Sequence, residues 1–226
     1  MSKYYSLPFC VLLLSLLSML TSCGDDDYYY PSVKLEFLTA YSGSDGTFTS
    51  ILTDEGDTYA VATDASGTVV TPDSIVRIVS YYEVQTDDAG AVEGVKLYSL
   101  AKAIAPIPQT ADKFEDGVET APASIRSIWL GYNYLNILLG VKQQGTHTLH
   151  FVEDEVTTDD DGQPVVSLLL YHGVTSEVED YTKTAYLSVP LQQYATDGVE
   201  KVTIRFTLYT DDDETSTHEF TYTPSK

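Results

Sequence analysis

Three observations predict an all-β chain. Short runs rich in Val, Ile, Thr and Tyr recur along most of the length, broken by Asp/Gly/Ser turns. Tyrosine, a residue suited to pleated and half-buried surfaces, occurs 18 times. No stretch keeps a helical period long enough to matter, and no internal repeat is visible. The spacing of the runs divides them into an OB-like five-stranded barrel over residues 33–121 and a seven-stranded immunoglobulin-like β-sandwich over residues 122–226.

The barrel strands follow in order. Val33-Lys34-Leu35-Glu36-Phe37 opens a strand over residues 33–41 with strict alternation, and Ser42-Gly43-Ser44-Asp45-Gly46 turns it. Residues 47–52 return, Asp54-Glu55-Gly56-Asp57 turns again, and residues 58–63 make the third strand. Asp64-Ala65-Ser66-Gly67 and Thr71-Pro72-Asp73-Ser74 bracket a short segment at 68–70. Residues 75–83 and 95–104, separated by the acidic loop 86–94, complete a set of the size a small Greek-key barrel needs. From residue 105 to Pro122 the chain is polar and proline-punctuated, which places a domain boundary near residue 120.

The sandwich strands are expected at 124–130, 134–142, 146–152, 165–172, 184–189, 201–209 and 217–222. Within them Val202, Ile204, Phe206 and Leu208 should face inward, while Thr203, Arg205, Thr207 and Tyr209 face out. Ser167-Leu168-Leu169-Leu170-Tyr171 is apolar on both faces and belongs in the centre of a sheet or under a neighbouring domain.

Ahead of the barrel, residues 1–22 read as a secretory signal, with Lys3 as its basic end and a short leucine-rich core. That core falls short of the roughly 20 apolar residues that span a bilayer. Leu20-Thr21-Ser22-Cys23 has the form of a bacterial lipobox, in which Cys23 is acylated and the signal is cut before it. Two acyl chains at ~0.8 kcal/mol per buried methylene hold a protein firmly, so the membrane is the first expected partner. Residues 23–32 are then a lipidated acidic tether. Its cluster Asp25, Asp26 and Asp27 resembles the surface-export signal of Bacteroidetes lipoproteins, which implies an outer-membrane, cell-surface location.

Composition narrows the function. The chain carries 34 acidic against 12 basic side chains, a formal net charge of −22. Nucleic acid is excluded as a partner, because its binding depends on lysine and arginine displacing counterions. Both cysteines, Cys10 and Cys23, lie in the signal and the lipobox, so the folded part has neither disulfides nor thiolate metal sites.

The stretch Ile128-Trp129-Leu130-Gly131-Tyr132-Asn133-Tyr134-Leu135-Asn136-Ile137 resembles the opening of the C-terminal sandwich domain in NigD-like lipoproteins of Bacteroidetes. Leu169-Leu170-Tyr171-His172 looks like that family's strand ending in a histidine, and Gly94-Val95-Lys96-Leu97-Tyr98-Ser99-Leu100 resembles the close of its OB-like domain. The match runs through most of residues 33–226, with the Trp-to-Asn segment its specific part. One departure stands out. Relatives follow the histidine strand with an Asn/Asp-containing loop, and here that loop reads Gly173-Val174-Thr175-Ser176-Glu177-Val178-Glu179-Asp180. The family is linked by name to a bacteriocin locus, so the resemblance implies an immunity or accessory role, with no cofactor.

His147 and His150, three apart on one strand, point to opposite faces and cannot share an ion. His172 is expected to bond backbone at a strand end, with Glu177, Glu179 or Asp180 near enough to orient it, and His218 to sit on an edge strand. Asp159-Asp160-Asp161-Gly162 and Asp211-Asp212-Asp213-Glu214 lack the spaced ligands of an EF-hand and read as turns, so no metal site is assigned. No nucleophile elbow, phosphate loop or paired carboxylate motif is present, so no catalytic residue is assigned. Trp129 and Leu135 are expected in the sandwich core. Tyr132 and Tyr134 are the candidate contacts for a protein or glycan partner. The expectation is a non-enzymatic, lipid-anchored envelope protein, with a surface glycan-binding lipoprotein and a hydrolase with a nonlocal site as the alternatives.

Overall fold

The computed structural model describes residues 32–142, 145–175, 182–211 and 214–224. Cys23 and Asp25, Asp26 and Asp27 lie outside them, as do Glu177, Glu179 and Asp180. The chain from Val33 onward is one compact unit.

Five strands close the first barrel: β1 (Lys34–Ser42), β2 (Phe48–Thr53), β3 (Thr58–Asp64), β4 (Ile75–Thr86) and β5 (Val92–Lys102). Their order round the barrel is β1-β2-β3-β5-β4, with β3 and β5 parallel and the other pairs antiparallel. This is the Greek-key closure expected of an OB-like barrel, and it leaves no free edge. Alternation puts Leu38, Ala40, Ile51, Ile78, Tyr82, Val95 and Leu97 inside. The bracketed segment at 68–70 is not a strand. Val70 drops into the barrel core instead, and its N–H donates to Gly46 O at 3.0 Å. Gly46 has a φ of +80°, and a Cβ there would lie 2.3 Å from Val70 O, so this turn needs glycine.

β1 and β4 are buried on their outer face as well. Phe37, Thr39, Arg77 and Val79 are all buried although they point away from the barrel interior. A small barrel exposes its outer face to water unless something covers it; here the second half of the chain does.

That half is a sandwich of two sheets. One contains β13 (Thr215–Tyr222), β12 (Val202–Tyr209), β10 (Pro164–Val174), β9 (His147–Thr158) and the two-residue β6 (Gln109–Thr110), in that order. The other contains β11 (Thr182–Pro190), β8 (Tyr134–Lys142) and β7 (Ser124–Gly131). All seven expected strands are present, and β9 extends six residues further than expected because it stays paired with β10 up to the turn at Asp159. β10 lies centrally, as its two apolar faces require. It runs parallel to β12, since β11 of the facing sheet makes the return crossing between them. Val202, Ile204, Phe206 and Leu208 all point into the core, at 0–1% exposure. Each such side chain contributes roughly 1.5–3 kcal/mol by burial.

The segment between barrel and sandwich is held to the sandwich along its length. The Ile104 N–H donates to Tyr186 O at 2.8 Å, and β6 pairs in parallel with β9. The Phe114 ring stacks on Tyr171, with centroids 4.8 Å apart. The Ala121 N–H donates to His172 O, and the Ala123 N–H to Tyr209 O.

Candidate functional site

In the three-stranded sheet, one face supplies the sandwich core through Leu135, Ile137, Leu139, Leu187 and Val189. The opposite face presents Tyr134, Asn136, Leu138, Tyr186 and Ser188 to the barrel. Near the β7–β8 turn the two bodies touch, and further along they part.

Where they touch, the contact is polar and largely buried. Arg77 of β4, 5% exposed, reaches across. Its Nη2 donates to Asp54 Oδ1 at 2.5 Å and to Asn136 Oδ1 at 3.0 Å. Its Nε donates to Ser188 Oγ at 3.0 Å and its Nη1 to Thr39 Oγ1 at 3.2 Å. Asn136 Nδ2 donates to the other oxygen of Asp54 at 2.6 Å, and Ser188 Oγ to Asn136 Oδ1 at 2.6 Å. The guanidinium lies 4.1 Å from the centroid of the Tyr134 ring and 5.6 Å from that of Phe37. Burial pushes the Arg77 pKa down, and the neighbouring Asp54 carboxylate opposes that shift. With hydrogen bonds from Arg77 to both halves, this buried cluster ties barrel to sandwich.

The family-like stretch builds that joint. A Cβ on Gly131 would lie 2.2 Å from Asp54 Oδ2 and 2.7 Å from Asn136 Nδ2, so only glycine leaves room for the carboxylate. Tyr132 takes a φ of +44°, a left-handed backbone that costs a tyrosine energy. Its N–H donates to Asp54 O at 3.0 Å and its ring lies against Gly56, which hold it there. Asn133 Oδ1 accepts a hydrogen bond from Tyr222 Oη at 2.7 Å. Of the two candidate contacts, Tyr132 is 37% exposed, whereas one face of Tyr134 is taken by Arg77.

Where the bodies part, they leave a groove of about 320 Å³. From the barrel it is lined by Leu35, Glu36, Phe37, Asp54, Glu55 and Val79; from the sandwich by Arg126, Trp129, Leu138, Thr184 and Tyr186. Phe37 meets Trp129 edge-to-face at 5.5 Å and Tyr186 at 6.1 Å. Trp129, expected in the sandwich core, stands here instead at 36% exposure. The cause is a bulge in β7 between Ile125 and Ser127, which shifts the alternation by one residue. Ile125, Ile128 and Leu130 then pack on the core, and Trp129 turns outward. Leu135 is fully buried in the core, as expected.

Two of the histidines pair, and the other two stand apart. His172 Nδ1 lies 2.8 Å from Ala121 O and must donate to it, so Nε2 is the acceptor for His147 Nδ1 at 2.8 Å. The rings stack with centroids 5.2 Å apart. Nε2 of His147 is then a buried acceptor with no hydrogen-bond partner among the described residues. Burial of His172 lowers its pKa, and His147 adds to that effect. His150 lies on the other face of β9 against Phe114, and His218 is on the edge strand β13. At the Asp159 turn, Asp159 Oδ1 accepts the N–H groups of Asp161 and Gln163, and Lys201 Nζ lies 3.4 Å from both Asp159 and Asp161. Among the described residues no three metal-ligating side chains converge.

Sequence reasoning missed the Arg77 cluster and the place of Arg126 in the groove. The signal for the cluster was present: Ile75-Val76-Arg77-Ile78-Val79 and Leu135-Asn136-Ile137 each set one polar side chain inside an apolar strand. Such residues are retained when they have partners to meet.

Comparison with known proteins agrees with this architecture. Residues 105–222 match the model of the NigD-like C-terminal beta sandwich domain. The structure is similar to that of a NigD-like immunity protein from Bacteroides caccae, at 35% identity and a TM-score of 0.72, covering 88% of this chain and 100% of that one. A protein of unknown function from Bacteroides vulgatus shares the fold at 16% identity and a TM-score of 0.63, covering 84% and 91%. So does a toxin-related protein from Parabacteroides distasonis, at 14% identity and a TM-score of 0.64, covering 85% and 94%. No curated protein matches.

Proposed function

Because the chain belongs to the NigD-like family, we propose that it is a non-catalytic binding protein of the cell envelope, held at the outer membrane by lipid on Cys23, which blocks or sequesters a partner. The groove carries this reading. It sets a half-exposed tryptophan between two bodies tied together by the buried Arg77 cluster. A rigid, preorganised recess with an aromatic anchor suits binding, because little ordering entropy is lost when it fills. The immunity role named for the Bacteroides caccae relative is one form of such blocking. The lipobox before Cys23 and the acidic run behind it support the location.

Two measurements test the reading. Mass spectrometry of the native protein should find acyl chains on Cys23, and Cys23→Ala should release the protein from the membrane fraction. An unmodified thiol, or a soluble native pool, would refute the anchor. Deletion of the gene should raise sensitivity to culture supernatants of neighbouring strains, and unchanged sensitivity would remove the blocking role.

A further inference from the structure

Resting on that reading, the geometry points to the class of partner: a basic, amphipathic peptide segment that seats an apolar side chain against Trp129 and places lysine or arginine along the barrel rim of the groove. Three features converge on this occupant.

The first is an apolar strip that runs beyond the groove itself. Leu35 and Tyr81 are cross-strand partners on β1 and β4, 48% and 49% exposed, and Val33 lies beside them at 41%. They extend the groove's apolar floor onto the open barrel face. A small ligand enclosed in 320 Å³ has no use for this strip, whereas an extended segment covers it.

The second is charge. On the barrel side of the groove stand Glu36, Asp54 and Glu55. Asp54 is neutralised by Arg77, and Glu36 accepts from Tyr82 Oη at 2.6 Å with Lys34 3.8 Å away. Glu55 is exposed and makes no ion pair among the described residues. Behind them stands a chain of net charge −22, whose field draws in cations and repels acidic segments.

The third is the opposite wall. Arg126 lines the sandwich side of the groove and donates to Thr184 Oγ1 and, at 3.4 Å, to Thr182 O. There it offers N–H groups to a peptide carbonyl. An apolar floor, an acidic rim and a donor on the far side match the three parts of such a segment.

Trp129 is the only tryptophan in the chain, so its fluorescence reports on the groove directly. The purified full chain is titrated with a seven-residue peptide of alternating lysine and leucine with a central phenylalanine. A counterpart with glutamate for lysine, and maltoheptaose, are titrated in parallel. The basic peptide should shift Trp129 emission saturably, and Glu55→Lys should weaken it about fivefold or more, since each exposed charge contact contributes a modest part. Raising the salt from 0.15 M to 1 M should weaken it too, as screening predicts. A second variant, Leu35→Asp, tests the strip outside the groove and should also weaken binding. The inference is overturned if the acidic peptide binds as well as the basic one, if only maltoheptaose alters the emission, or if neither variant changes the affinity. Acylation of Cys23 is read separately by mass, so failure of the titration leaves the envelope reading standing and failure of the anchor leaves the titration standing.

Discussion

Replacing Arg77 with alanine removes four hydrogen bonds, one of them the ion pair to Asp54, from the joint between barrel and sandwich. What remains is a half-closed cavity holding Asp54, Asn136 and Ser188, with the Asp54 side chain only 13% exposed. Breaking a buried ion pair from one side costs about 3–5 kcal/mol, because the charge left behind has lost its partner. For a body of this size each kcal/mol moves Tm by roughly 2–4 °C, so a fall of roughly 6–20 °C is expected. Calorimetry should also show the single transition broadening or dividing, because the cluster is what couples the two halves. Arg77→Ala combined with Asp54→Ala should lose less than the sum of the single losses, with a coupling of roughly 1–3 kcal/mol. A loss below about 1 kcal/mol in Arg77→Ala, or strictly additive effects in the double variant, would show that the cluster is peripheral to stability.

Further outcomes follow from the same contacts. Gly131→Ala should destabilise by roughly 1–3 kcal/mol in urea titration, because the added methyl meets Asp54 at 2.2 Å. Phe206→Ala should lose about 3–5 kcal/mol, since Phe206 is fully buried and packs on Phe151. For His172 the folded pKa lies below the unfolded one, so its contribution to stability is whole above about pH 6.5 and is lost as pH falls through the folded value. The urea midpoint of the wild type should therefore fall more steeply between pH 7.5 and pH 5 than that of His172→Gln. Trp129 fluorescence should be quenched readily by acrylamide in the free protein, in keeping with its exposure.

Much of the fold was legible because its governing signals are local. Period-two alternation marked the inward residues of β12, and two-sided apolarity marked β10 as central. Turn chemistry located the hairpins, and the Asp159 turn spends its carboxylate on backbone N–H groups, as such a turn should. Trp129 escaped this reading because a single inserted residue in β7 reverses which side chains face inward, and alternation counted along one strand does not reveal a bulge. Arg77 and Asp54 escaped for another reason. They are 23 residues apart and meet Asn136 and Ser188 only when the two halves dock. The family-like stretch was recognisable well before its purpose was. Its glycine, its left-handed tyrosine and Asn136 serve the joint, Asn133 anchors the last strand of the sandwich, and its tryptophan serves the groove.

The hydrogen bond from Tyr222 to Asn133 spans 89 positions in the chain. The last strand therefore completes a corner laid down near the middle of the sequence, and β10 waits for β12 before its parallel neighbour exists. A chain made amino end first has all five strands of its barrel in hand by residue 102. Its sandwich stays unfinished until β12 and β13 have followed. Such late, long-distance pairing folds slowly, and loss of the Tyr222 side chain would remove the bond that closes this corner of the sandwich.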